Sequence, residues 1–270
     1  MANMGKTILG LMLEVQSTTV VDSNYLATVT LNAKYGVSPA LLPQAQPRIR
    51  YFGAGIGGAK NIDSENLSGP FKPQATDMDL YKALPIRCVP LANDLTAADR
   101  ANYRMRQVKQ INGIQYALYW LKVMTPLDTK VQITRTDPVS KQETPYVLDP
   151  ANLNPVPPPL STDGTVGSAT AEINVTTSYM VNLTGNEIME AINVLYGGDT
   201  RRAMITELGY YYGEDRVVKG ESATSAQFDY TEAIMTMLGY HYCFNGQDFS
   251  EEAAVMNRTV RIGKSDVALL

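Results

Sequence analysis

Three carboxylates are the candidates for acid–base chemistry. Asp77 and Asp79 form a DxD motif, and Glu207 is a third candidate partner. Two such groups held about 5–10 Å apart in an open cleft would suit glycoside hydrolysis. The DxD motif lacks the further carboxylates and the glycine of a calcium loop, so the sequence favours a solvated turn there. A carbohydrate-acting enzyme is therefore the least favoured function.

Histidine and cysteine usage also argues against catalysis. His241 is the only histidine, which excludes a relay or metal site that needs two from this chain, and its place between Tyr240 and Tyr242 favours a packed side chain. No GxSxG nucleophile motif occurs. Cys88 and Cys243 lie too far apart for a CxxC motif. Two buried thiols are the favoured interpretation, and a disulfide between them stays open.

The glycines at 53–58 satisfy the GxGxxG pattern and follow a strand-like segment at 48–52. In a dinucleotide site this pattern opens a helix whose N-terminus receives the pyrophosphate. Residues 59–64 have no apolar helical periodicity, so a glycine-rich loop at the end of a strand is predicted instead. No cofactor and no metal are expected.

The elements that would position these residues indicate a β-rich α+β fold, with antiparallel sheets or a sandwich. Asn112-Gly113 predicts a two-residue hairpin turn between strands within 103–124. Alternation predicts a half-buried strand at 172–181, and a capping-box pattern predicts one amphipathic helix at about 184–196. Further predictions are strands at 48–52 and 255–262, a hairpin within 7–33 and one helical turn beginning at Thr96; helix and strand stay open for 204–212 and 230–244.

We expect a single domain over 1–270, with an extended loop at about 53–82 and a proline-rich arm or linker at about 149–168. The apolar stretch at 7–13 is much shorter than the ~20 residues of a membrane span. A strand is favoured there over a signal peptide, because no small-x-small cleavage site follows.

Charge and aromatic composition bear on partners. The net charge of −4 makes nucleic acid an improbable partner. A basic cluster at 100–109, containing Arg100, Arg104, Arg106 and Lys109, is interpreted as a solvated strand face. The 16 tyrosines against five phenylalanines fit either a protein interface or a polar core edge, and both stay open. The candidate interface residues are Tyr116, Tyr119, Trp120, Pro157, Pro158, Pro159, Tyr210, Tyr211 and Tyr212.

Seven short stretches carry a resemblance that spans most of the chain: YFG at 51–53, TDMDLY at 76–81, LPIRCVP at 84–90, YRMR at 103–106, ING at 111–113, ITELG at 205–209 and YTEAI at 230–234. They resemble a family of tailed-bacteriophage virion structural proteins. The resemblance implies a virion subunit, assembled in the bacterial host cytoplasm, that contacts copies of itself in a ring and other virion structural proteins. It gives no catalytic residues to carry over, and from the short apolar stretch at 7–13 no membrane is expected as a partner.

The place in the virion is open at this stage. The neck or collar at the head-to-tail connection is favoured over the baseplate or tail. A receptor- or glycan-binding module of the tail is a further alternative. Ring symmetry, and whether the proline-rich arm exchanges between subunits, stay open as well.

Overall fold

The structure, a computed structural model, describes residues 3–6, 48–60, 69–137, 139–145 and 170–269. It divides into two compact units, which are described separately; the described parts of the first fall within 1–19, 45–125 and 181–258. The single domain expected from the sequence stays a prediction. Among the described residues, no helix has the length and apolar character needed to cross a membrane.

The fold is β-rich α+β, as expected. Two α-helices are described, α1 (Ala97–Arg100) and α2 (Gly185–Tyr196), with short 3-10 turns at Leu91–Asn93 and Thr200–Ala203. The strands are β1 (Asn3–Lys6), β2 (Arg48–Gly55), β3 (Ala83–Leu84), β4 (Arg87–Pro90), β5 (Tyr103–Ile111), β6 (Ile114–Val123), β7 (Thr125–Thr136), β8 (Glu143–Pro145), β9 (Thr170–Thr184), β10 (Met204–Glu221), β11 (Gln227–Asp248) and β12 (Val255–Leu269).

An eight-stranded antiparallel sheet forms most of the first unit. Its strand order is β1-β11-β10-β2-β6-β4, with β3 paired to β2 and β5 paired to β6. The two longest strands, β10 and β11, pair from Met204↔Asp248 to Glu221↔Gln227. The side chains of Tyr51 on β2, Leu121 on β6 and Leu238 on β11 pack together in one buried cluster.

The described residues of the second unit fall within 126–180 and 259–270. They contribute to a four-stranded sheet in the order β12-β9-β7-β8, in which β7 and β8 are antiparallel. The strands predicted at 172–181 and 255–262 are confirmed as parts of β9 and β12. The predicted arm at 149–168 and the predicted hairpin within 7–33 lie outside the described residues.

Strong local signals are confirmed. Asn112 and Gly113 take φ values of 50° and 82° and join β5 to β6, as a two-residue turn with both residues in the left-handed region requires. Thr96 caps the single turn of α1.

Helix α2 has the predicted ends. Thr184 and Glu187 form a reciprocal capping box, which satisfies backbone donors at the helix start, and Gly197 ends the helix with φ 61°. Its apolar face buries Ile188 and Ile192.

Residues 204–212 and 230–244, where the sequence left helix and strand open, belong to β10 and β11. These residues are extended because β10 and β11 pair with each other along most of their length. Tyr210, Tyr211 and Tyr212 are all less than a tenth exposed, so they belong to the chain's own core.

Candidate functional site

A cluster of side chains with donor atoms lies on one face of β10 and β11. Glu207 is paired directly with Cys243, and His241 stands two residues before Cys243, so the pleat directs all three side chains to the same face. All three are fully buried. Asp77, from the loop before β3, completes the cluster by contacting the ring of His241. We call Asp77, Glu207, His241 and Cys243 the histidine centre.

Both ring nitrogens of His241 contact carboxylates. Nδ1 lies 2.8 Å from Asp77 Oδ2 and Nε2 lies 2.9 Å from Glu207 Oε2. Because a carboxylate oxygen accepts and does not donate, both nitrogens carry a proton and the ring is an imidazolium. Burial alone would lower the pKa of His241, but the contacts with Cys243, Glu207 and Asp77 outweigh burial and raise the pKa to about 10.

The carboxylate of Glu207 has every acceptor position occupied. Oε1 accepts from the backbone N–H groups of Gly57, at 2.9 Å, and Lys82, at 2.8 Å. Oε2 accepts from the N–H of Tyr81 at 3.0 Å and from His241. These four hydrogen bonds offset the cost of burying this charge, and the three from Gly57, Tyr81 and Lys82 fasten both ends of the 57–82 segment to β10.

The GxGxxG glycines serve this fastening. A Cβ on Gly55 would lie 2.5 Å from Glu207 Oε1, and a Cβ on Gly58 would lie 2.4 Å from the carbonyl oxygen of Thr206. The Gly58 N–H donates to Thr206 Oγ1 at 2.9 Å. Gly53 and Gly55 lie within β2, which ends at Gly55, so the loop predicted for 53–58 begins only after that residue. The glycines permit close backbone approach to β10.

The solvated turn predicted for the DxD motif is wrong for Asp77. Its carboxylate faces inward and accepts from His241 and from the Tyr81 hydroxyl, the latter at 3.0 Å. Asp79 is an exposed residue whose carboxylate accepts from the Tyr211 hydroxyl at 2.7 Å. The ring of His241 therefore lies between two of the three candidate carboxylates, Asp77 and Glu207.

The basic cluster is also placed differently from the expected solvated face. Arg104 is buried and forms a two-pronged pair with Asp215, with N–O distances of 2.7 and 3.2 Å. Arg106 and Arg100 both pair with Asp94, at 2.9 and 3.6 Å. Their guanidinium groups also face Phe228, at 5.3 and 4.1 Å from its ring centre. Of the cluster, Lys109 is the member that the structure leaves exposed.

The Arg104–Asp215 pair predicts a pH dependence of stability. Burial raises the pKa of Asp215, but hydrogen bonds from Arg104 and Tyr51 outweigh burial and lower it. The pair therefore stabilises the fold above the unfolded pKa of about 3.9, and this contribution is lost as the pH falls through the lower folded value.

The variant Asp215→Asn should lose about 1–3 kcal/mol of unfolding free energy at neutral pH. Its difference from the wild type should shrink as the pH falls below about 4, because the Asp215 carboxylate of the unfolded chain becomes protonated there, and should vanish once the pH passes below the lower folded value. Urea denaturation at several pH values measures both effects. Asp229→Asn removes an exposed pair with Lys219 and is the matched control; an equal loss in that variant would contradict the role given to Asp215.

The candidate interface residues separate into three groups. Tyr119 and the three tyrosines at 210–212 are buried in the chain's own core, which corrects their assignment because no side-chain surface is left for a partner. Tyr116 and Trp120 are partly exposed and stay predictions. Pro157, Pro158 and Pro159 lie outside the described residues.

Cys88 and Cys243 are free, buried thiols, as favoured from the sequence. Burial raises the pKa of Cys88 to about 12, so this thiol keeps its proton. Cys243 Sγ lies 3.5 Å from His241 Nε2. The signal that could have found the centre is the H-x-C spacing of His241 and Cys243, because residues two apart share one face of a strand.

The fold and this centre define a β-rich α+β protein with a buried acid–histidine–thiol cluster. Its family model matches residues 2–270, and the chain belongs to that family, a family of unknown function designated DUF7208. No curated protein and no solved structure matches the chain.

Proposed function

We propose that the chain is a structural subunit of a tailed-bacteriophage virion, and that it forms an oligomeric ring in the neck or collar. It would contact copies of itself and other virion structural proteins, after assembly in the bacterial host cytoplasm. The virion assignment rests on the resemblance of the seven stretches described above. Baseplate and tail positions are the alternatives within the same class.

A structural role is supported by the hydrogen bonds of the side chains that could otherwise take part in chemistry. Glu207, Asp77 and His241 are engaged with one another or with backbone N–H groups, and they hold the described ends of the 57–82 segment against the sheet. Among the described residues, every buried side-chain nitrogen or oxygen has a hydrogen-bond partner. Groups committed in this way support rigidity, which a subunit that transmits force through interfaces requires.

The β5–β6 hairpin is the part of the described chain that best suits a contact with another subunit. Val108 and Ile114 are 43% and 52% exposed, and both stand on this hairpin beside the exposed Lys109. Partly exposed Tyr116 and Trp120 lie on β6. Apolar and aromatic side chains with a charged neighbour resemble the composition of interface centres and their rims.

Mass photometry of the purified full-length chain tests the ring. We expect a discrete oligomer larger than a dimer, and Ile114→Lys should shift it toward monomer, because an unpaired charge would be buried in the contact. Val139→Lys, at a side chain 89% exposed in the second unit, is the control and should leave the distribution unchanged. A chain that is monomeric at all concentrations and with its virion partners present would contradict ring formation.

A further inference from the structure

Three side chains of the histidine centre present a nitrogen, an oxygen and a sulfur atom to one point. One ligand atom from each of His241, Glu207 and Cys243 lies within 4.8 Å of the other two. A tetrahedral zinc ion, about 2.05 Å from nitrogen and 2.3 Å from sulfur, would separate those two ligand atoms by about 3.5 Å. The observed Nε2–Sγ distance is 3.5 Å. The Nε2–Oε2 distance of 2.9 Å would have to widen by about 0.4 Å to the tetrahedral value.

The surroundings already orient these atoms as a metal site requires. Asp77 Oδ2 lies 2.8 Å from His241 Nδ1, which leaves Nε2 as the ligand nitrogen. A carboxylate behind a histidine is the usual outer shell of such sites, since it fixes the tautomer and the ring orientation. The other oxygen of Glu207 is held by the N–H groups of Gly57 and Lys82, so Oε2 is fixed in direction.

The donor types of the centre match a divalent cation. Imidazole nitrogen, thiolate sulfur and carboxylate oxygen are the atoms that bind zinc in proteins. The Asp77 carboxylate behind the ring lies within hydrogen-bond distance of His241 and adds a second acidic group to the centre. Acidic surroundings of this kind offset the positive charge that a bound cation would bring into the interior.

We propose that the histidine centre is a metal site of the zinc class, with His241, Cys243 and Glu207 as ligands and Asp77 as the outer-shell partner. A thiolate with an imidazole selects zinc-like ions over magnesium and calcium. Three protein ligands leave the fourth position to a water molecule. This site is independent of the virion proposal, because it follows from the geometry within the first unit alone.

Cobalt substitution tests the site, since cobalt bound by a thiolate has a sulfur-to-metal charge-transfer band. The full-length chain is produced in cobalt-supplemented and, separately, zinc-supplemented medium, so that metal can bind during folding. We expect one cobalt per chain with the thiolate band, and one zinc per chain by native mass spectrometry. Cys88→Ser, at the other buried thiol, should keep both signals.

Cys243→Ser should lose the charge-transfer band, and Asp77→Asn should bind the metal about 10–100-fold more weakly in competition with a chelator. The result for the wild-type chain decides the matter even where a variant fails to fold. A wild-type chain without stoichiometric metal or without the thiolate band would overturn the proposal. So would loss of the band in Cys88→Ser with the band kept in Cys243→Ser.

Discussion

Glu207→Gln is expected to lower the free energy of unfolding by about 3–5 kcal/mol, the range for breaking a buried charged pair. The amide is nearly isosteric with the carboxylate, so packing is not the cause. Each carboxylate oxygen of Glu207 accepts from two donors. Whichever way the amide turns, its NH2 group faces two N–H groups, and the imidazolium of His241 loses one of its two anionic partners.

Urea denaturation measures this loss. A chelator is present so that no bound metal contributes to the measured stability. Glu251→Gln, at an exposed glutamate, is the matched control and should be nearly neutral. A loss below about 1 kcal/mol in Glu207→Gln would mean that the carboxylate is not the anchor of the 57–82 segment.

Gly58→Ala is expected to destabilise the chain by about 1–3 kcal/mol or more, the range for an overpacked interior. The new Cβ would lie 2.4 Å from the Thr206 carbonyl oxygen and 2.7 Å from Glu207 Cβ. Backbone atoms cannot turn aside as a flexible side chain can, so the loop would have to move away from β10. The bond from the Gly58 N–H to Thr206 Oγ1 would be lost with that movement.

Gly53→Ala is the internal comparison for Gly58→Ala. A Cβ on Gly53 would approach side-chain atoms of Leu121 and Tyr211 at 3.1 and 3.2 Å, which can shift by a few tenths of an ångström. Thermal denaturation should therefore show a smaller loss for Gly53→Ala. A larger loss at Gly53 would contradict the role given to the motif.

Elements with complete local signals could be predicted from the sequence. The Asn112-Gly113 turn and the capping box of α2 each depend on residues within four positions of one another. Backbone conformation there is decided by the residue types themselves, through left-handed φ at the turn and reciprocal capping at the helix.

The histidine centre depends on strand register, which the local sequence does not determine. Glu207 and His241 are 34 positions apart, and Asp77 is 164 positions from His241. Only the pairing of β10 with β11 and the return of the loop bring them together. A lone histidine was correctly predicted to be packed, but its carboxylate partners could not be identified without that pairing.

The same limitation explains the two corrections to the surface predictions. Arg104 and Arg106 were interpreted as a solvated basic face because their acidic partners are not adjacent in sequence. Arg104 pairs with Asp215, and Arg106 pairs with Asp94. The tyrosines at 210–212 looked available for a partner, yet neighbouring strands cover them. Aromatic and charged residues are placed by their tertiary partners, so composition alone did not separate core from interface.

A cryo-EM reconstruction of the purified virion that contains this chain tests the proposed function most directly. We predict several symmetry-related copies in a ring at the head-to-tail connection, with the β5–β6 hairpin against a neighbouring subunit. A ring in the baseplate would keep the structural role and contradict the neck position. A complete particle without this chain would contradict the structural role itself.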